Sequence, residues 1–170
     1  MEFPINTRID TDQLTIAPLL ADIRAGAAEA DRERSIPEAV INKIKANPIM
    51  RFSAAEEIGG LDVGIEASAY ELEAIAAACG STGWVLWNHM CTFHLFAGLL
   101  GPDNADFLTD IVKRQQWVCF PAGASTAIRG TQQGDDLLLE GKAAFGSGGR
   151  YADWAGASFV VDENLERTLL

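Results

Sequence analysis

Positive charge is scarce in this 170-residue chain: 13 Lys and Arg stand against 24 Asp and Glu, for a net charge of -11. That balance repels phosphate backbones and anionic headgroups, which argues against a nucleic-acid or membrane-surface partner. Cysteine is sparse as well. Cys79, Cys91 and Cys119 are odd in number and form no C-x-x-C pair, so they supply neither a disulfide framework nor a zinc-finger spacing. Cys91-x-x-His94 has an i, i+3 spacing suited to two metal ligands, but no second Cys/His pair completes a set of four. No nucleophile elbow G-x-S-x-G is present. The start, MEFPINTRID, has no basic segment followed by an apolar run, so no signal peptide is expected. The most apolar stretch, residues 84–100, is broken by Asn88, His89 and His94 and falls short of the roughly 20 residues a spanning helix needs. A soluble, cytoplasmic chain is the expectation.

What is present suffices for a core. Hydrophobic residues make up 48% of the chain, which excludes global disorder and suits one compact domain or two small ones. The first two-thirds read as helices. Residues 11–30 carry Leu14, Leu19, Leu20 and Ile23 at three- and four-residue spacing. Ser35-Ile-Pro-Glu38 has the form of a capping box opening a helix to about Ala46, which Asn47-Pro48 ends. Over residues 64–79, Ile65, Ala69, Leu72, Ala76 and Cys79 recur at helical spacing, and Gly80 suits a left-handed cap. Ser81 or Thr82 is expected to cap a helix running to Leu100, with Gly101-Pro102 as its stop. Asp103 or Asn104 then starts a fifth helix to about Gln116, with Phe107, Leu108, Ile111 and Val112 inward.

After Trp117 the pattern shortens. WVCFPAG reads as a buried strand. Gln133-Gly134-Asp135 divides two extended stretches, residues 125–130 and 136–145, as a hairpin turn does, and residues 157–161 are a further strand candidate. Helices followed by strands predict an α+β fold with segregated parts: a helical domain over 1–116 and, over 117–170, an antiparallel β part.

Two features carry candidate chemistry. Trp84, Trp87, Cys91 and His94 fall at i, i+3, i+7 and i+10, so they share one helix face. That face is either a buried aromatic stripe or the wall of an apolar pocket bearing one titratable imidazole; His89 points elsewhere on the wheel. Gly146-Ser-Gly-Gly149 is a glycine-rich turn, read either as a tight turn with positive φ or as a place of close backbone approach to a cofactor. The carboxylate pairs Glu56-Glu57 and Asp135-Asp136 read as solvated surface.

These residues resemble a family. Arg32-Glu-Arg-Ser-Ile-Pro-Glu38, Gly59-Gly60-Leu61 and Gly80-Ser-Thr-Gly-Trp84 are similar to the N-terminal helical domain of the acyl-CoA dehydrogenase-like flavoproteins. The branch most resembled is the two-component flavin-dependent monooxygenases, similar to para-hydroxyphenylacetate hydroxylase and the dibenzothiophene monooxygenases. Phe120-Pro-Ala-Gly123, Gly141-Lys-Ala-Ala-Phe-Gly-Ser-Gly148 and Ala152-Asp-Trp154 match the start of the family's middle β domain. The resemblance implies FMN or FAD, reduced by a separate flavin reductase, and oxygen-dependent hydroxylation of a small aromatic or heteroatom substrate. It implies Phe120, Ala122, Gly123, Ser125, Ser147 and Gly148 beside the flavin, Ser147 placing a hydroxyl near N5. Trp84, Trp87 and Cys91 then line the substrate pocket, and His94 faces the reacting end of the flavin or a phenolic substrate. A C-terminal helical bundle that builds a homo-oligomer is implied beyond these residues, so the chain is read as an N-terminal portion. Two alternatives stand beside this: an acyl-CoA dehydrogenase-type flavoprotein, and a truncated, non-catalytic helical binding module.

Overall fold

Glu71 organises residues 11–19, which lead into the first long helix. Its buried carboxylate accepts the backbone N–H groups of Thr15 at 2.7 Å and Ile16 at 3.0 Å. Residues 11–19 therefore fold with two short 3-10 turns, Thr11–Gln13 and Ala17–Leu19, the second containing Pro18. Continuous helix starts at Leu20, later than the apolar spacing predicts. The computed structural model describes residues 10–121, 128–160 and 167–169.

Five α-helices precede six strands among those residues. They are α1 (Leu20–Glu33), α2 (Glu38–Lys45), α3 (Ile65–Ala78), α4 (Gly80–Leu100) and α5 (Ala105–Lys113), then β1 (Val118–Cys119), β2 (Ile128–Gln133), β3 (Asp136–Glu140), β4 (Trp154–Ala155), β5 (Ser158–Val160) and β6 (Arg167–Leu169). The α+β class and the order of helices before strands agree with the sequence reading. No helix of the described residues is long and apolar enough to cross a membrane.

Local expectations are met unevenly. The capping box at Ser35 does not form. Pro37 is the N-cap of α2 with no side-chain bond, because the Ser35 hydroxyl lies 3.1 Å from the Tyr151 hydroxyl instead. Asn47 stops α2 as expected and caps the next turn, its side-chain oxygen accepting the Ile49 N–H at 3.0 Å. Gly80 is not a left-handed cap. Cys79, extended at φ -156 and ψ 110, breaks the chain between α3 and α4, so neither Ser81 nor Thr82 is needed as an N-cap. α3 and α4 pack closely: a Cβ on Gly83 would lie 2.9 Å from the Ala76 methyl.

The buried face of α3 is not its apolar stripe. Glu71, Ala74, Ile75 and Ala78 are buried, whereas Ile65 is 89% exposed and Ala69 and Ala76 are open. α5 behaves as read, burying Leu108, Ile111 and Val112.

The hairpin is present, β2 pairing antiparallel with β3 through a two-residue turn at Gly134, whose φ is +64. Its four-stranded sheet runs β3-β2-β5-β6, with β2 and β5 parallel. β1 and β4 form a separate parallel pair. The β part is therefore mixed rather than purely antiparallel, since the chain crosses through the 146–149 turn and β4 before β5 returns beside β2.

Two apolar clusters hold the molecule. One joins Ile16, Ile23, Ile41, Ile44, Ile49, Ile75 and Leu86 to Trp117. The other joins Phe93, Phe96, Leu108, Ile111 and Val112 to Val118. Trp117 and Val118 both lie on the strand side of the expected boundary at 116, and both are fully buried among helices.

Candidate functional site

α4 carries no charged residue over its length, so nothing in its composition marks an outer side. Its inner side buries Leu86, His89, Met90, Phe93 and Phe96. Its opposite side presents the four residues singled out by spacing. Trp84 is 57% exposed and Trp87 45%, and Cys91 and His94 are exposed too. The stripe is therefore not core.

Instead it walls a groove. Trp87, Met90, Cys91 and His94 face Ile65, Ser68, Ala69, Leu72 and Ala76 of α3 across a cavity of about 800 Å³, with Ser53, Asp62 and Val63 at its end. Four of the apolar positions that recur at helical spacing, Ile65, Ala69, Leu72 and Ala76, form the second wall of this groove. A volume of that size matches a small organic ligand, and the lining is largely apolar with a few polar groups, as ligand sites usually are. Partial burial pushes the Cys91 thiol above its ordinary range, so the protonated thiol acts here as wall rather than nucleophile.

At the other end of the face, Trp84 tilts against Trp87 with ring centroids 5.4 Å apart. Its indole N–H donates to the Ser147 hydroxyl at 3.0 Å. The structure thus brings together the aromatic face and the glycine-rich turn, which the sequence separates by 63 positions. His94 is far from this contact, roughly 15 Å along the helix from Trp84 at 1.5 Å per residue.

The other residues expected beside the flavin divide into two groups. Gly148 and Phe120 are described. Gly148 has φ +80, and a Cβ there would lie 2.7 Å from the Trp117 indole nitrogen, so glycine is required on both counts. Phe120 packs against the second core cluster and closes on Gly156, where a Cβ would meet its ring at 2.4 Å. Ala122, Gly123 and Ser125 lie outside the described residues.

His89 is a residue to which spacing gives little weight. It is 1% exposed and joins two distant backbones. Its Nδ1 accepts the Val118 N–H at 3.1 Å, which leaves the proton on Nε2 to donate to the Met50 carbonyl at 3.3 Å. Burial lowers its pKa to about 4, so the ring is neutral at pH 7. The signal that would have found it is its position on the same wheel face as Leu86, Phe93 and Phe96.

Comparison with known proteins now adds several likenesses. The acyl-CoA dehydrogenase N-terminal domain matches residues 19–98. A pigment production hydroxylase of Rhodococcus sp. (strain ATCC 21145) is 25% identical over 142 residues, which are 81% of this chain and 34% of the relative. XiaF from Streptomyces sp., solved with FADH2 and glycerol, superposes with a TM-score of 0.76 at 22% identity, over 91% of this chain and 38% of that one. TdsC from Paenibacillus sp. A11-2, solved with FMN and indole, gives 0.77 at 20% identity, over 90% and 41%. The chain spans about a third of the curated relative and about two-fifths of these solved chains.

Proposed function

With residues 19–98 matching an acyl-CoA dehydrogenase N-terminal domain, we propose that the chain is the N-terminal portion of the oxygenase component of a two-component flavin-dependent monooxygenase. In this reading 1–116 is the helical domain and 117–170 the start of the middle β domain, with the homo-oligomer built by a C-terminal helical bundle. The observation that carries the proposal is the Trp84–Ser147 hydrogen bond, which ties an open aromatic wall to a glycine-rich turn.

The residues present suit a flat, largely apolar ring system. Trp84 and Trp87 offer exposed indole faces, Ser147 a hydroxyl, and the exposed Phe145 a further ring at the mouth of the turn. Ser147, Gly148 and Phe120 would hold the flavin, together with Ala122, Gly123 and Ser125, and Trp84, bonded to Ser147, would join them to the substrate pocket. Bound reduced flavin supplies the activation of molecular oxygen, chemistry that the side chains here do not provide. The chain's own task is to bind the aromatic substrate between the α3 and α4 walls, keep water from the reacting face and fix orientation. His94 takes or returns a proton at a phenolic oxygen. Asp62 and Glu73, both on the groove, disfavour an anionic substrate. A separate flavin reductase is the expected partner, and the cytoplasm the expected location.

Titration of the chain with FMN and FAD, oxidised and reduced, monitored by fluorescence quenching, tests the reading. Quenching at micromolar flavin is expected. Its absence would favour a non-catalytic helical module. An acyl-CoA dehydrogenase remains the second reading, because the matched domain is named for that class. Oxygen-independent dehydrogenation of an acyl-CoA by the full-length protein would select it. In the full-length enzyme, His94→Ala should lower hydroxylation or release peroxide without product, with thermal stability nearly unchanged.

A further inference from the structure

The 146–149 turn rests on the helical part of the molecule. Gly148 lies against the indole nitrogen edge of the buried Trp117, and its carbonyl accepts the Tyr151 N–H at 2.9 Å. Trp117 is itself held by its neighbours. Its backbone N–H donates to the Asp153 carboxylate at 2.7 Å, and the His89 ring, bonded through both nitrogens, lies against its indole with centroids 5.2 Å apart. Tyr151 meets Trp117 edge-on at 6.1 Å. Its hydroxyl then crosses to the segment before α2, accepting the Ile36 N–H at 2.6 Å and bonding Ser35 at 3.1 Å. Asp153 adds a second tether to α2 through Lys45 at 2.7 Å.

Ser147 is thus carried by a turn that is seated from below by Trp117 and moored from behind by Tyr151. No bond to the β2–β3 hairpin takes part in this arrangement among the described residues. We propose that Tyr151 and Trp117 are positioning residues that set the Ser147 hydroxyl against Trp84. The ligand-facing wall is then referenced to the loop between α1 and α2 rather than to the sheet. The ligand assigned to that wall rests on the flavin reading above; the positioning itself does not.

The test uses the whole chain labelled with 15N. The Trp84 indole N–H resonance is assigned with Trp84→Phe, and its position without the Ser147 acceptor is taken from Ser147→Ala. Tyr151→Phe keeps the ring and removes only the hydroxyl. The Trp84 resonance in Tyr151→Phe should move to, or most of the way to, its place in Ser147→Ala. A resonance left at the wild-type position in a folded Tyr151→Phe overturns the proposal. Gly148→Ala lifts the turn from the Trp117 side and should produce the same shift; it carries the test alone if Tyr151→Phe does not fold. Glu71→Gln, a destabilising change remote from the turn, should leave the resonance in place, which separates positioning from general loss of stability. Titrating the same samples with FMN should show affinity about threefold to tenfold weaker in Tyr151→Phe than in wild type. If the wild-type chain takes up no FMN, the flavin reading fails while the resonance shift still decides the positioning.

Discussion

His89 and His94 stand little more than one turn apart on α4, yet their surroundings have almost nothing in common. His89 is enclosed, holds one tautomer and spends both nitrogens on backbone groups from Met50 and Val118. His94 is exposed on the wall of an open groove. The helix itself does not distinguish them, since it is apolar all round. What other elements bring to each face makes one imidazole a structural clamp and leaves the other available to a ligand. A clamp is worth what its removal leaves unpaired; an available imidazole contributes little to stability.

The sharpest way to break this contrast is to remove each ring. His89→Leu leaves the buried Val118 N–H and Met50 carbonyl without partners, and should cost about 2–5 kcal/mol in urea denaturation. His94→Leu should change stability by no more than about 0.5 kcal/mol. Equal losses would erase the distinction. Acid offers a second route. Because the folded pKa of His89 is about 4 and its ordinary value 6.5, the unfolded chain binds the extra proton between those values. Its contribution is complete above pH 6.5 and is lost as pH falls to 4, a total of about 3 kcal/mol at 1.36 kcal/mol per unit. Denaturation midpoints across that range should show the loss in wild type and not in His89→Gln.

Gly148→Ala probes the junction between the two regions. It forces an L side chain to positive φ and drives a methyl at the Trp117 nitrogen, which should cost about 1–3 kcal/mol by thermal denaturation. The smallest effect concerns thiols. Cys91 opens on the groove whereas Cys79 and Cys119 are buried, so alkylation of the native chain, read by mass spectrometry, should modify Cys91 first. With its pKa raised by burial, that reaction should be slower than for a free thiol at the same pH, and saturating ligand should slow it further.

Much of this is legible from spacing alone. The five helices, the Gly134 hairpin and the shared face of Trp84, Trp87, Cys91 and His94 all come from local pattern, because each depends on residues close in sequence. What fails depends on distant partners. The buried face of α3 is centred on Glu71, with Ile65, Ala69, Leu72 and Ala76 roughly 100–160° away around the helix at 3.6 residues per turn. Periodicity cannot place a carboxylate at the centre of a core face without knowledge that the Thr15 and Ile16 N–H groups will meet it. Ser35 misleads in the same way, its hydroxyl being taken by Tyr151, 116 positions later. The apolar stripes of α3 and α4 are visible as stripes, but pattern alone does not say whether a stripe meets protein or a ligand.

The close meeting of Gly83 with Ala76 has a consequence for what the groove can admit. Ala76 is both part of the α3 wall of the groove and the surface against which Gly83 rests, with no space for even one added carbon between them. The separation of the two walls is therefore set where the helices touch, by the two smallest residues available. Enlarging either would spread the helices like a wedge, and the aperture would change calibre without any residue that touches the ligand being altered.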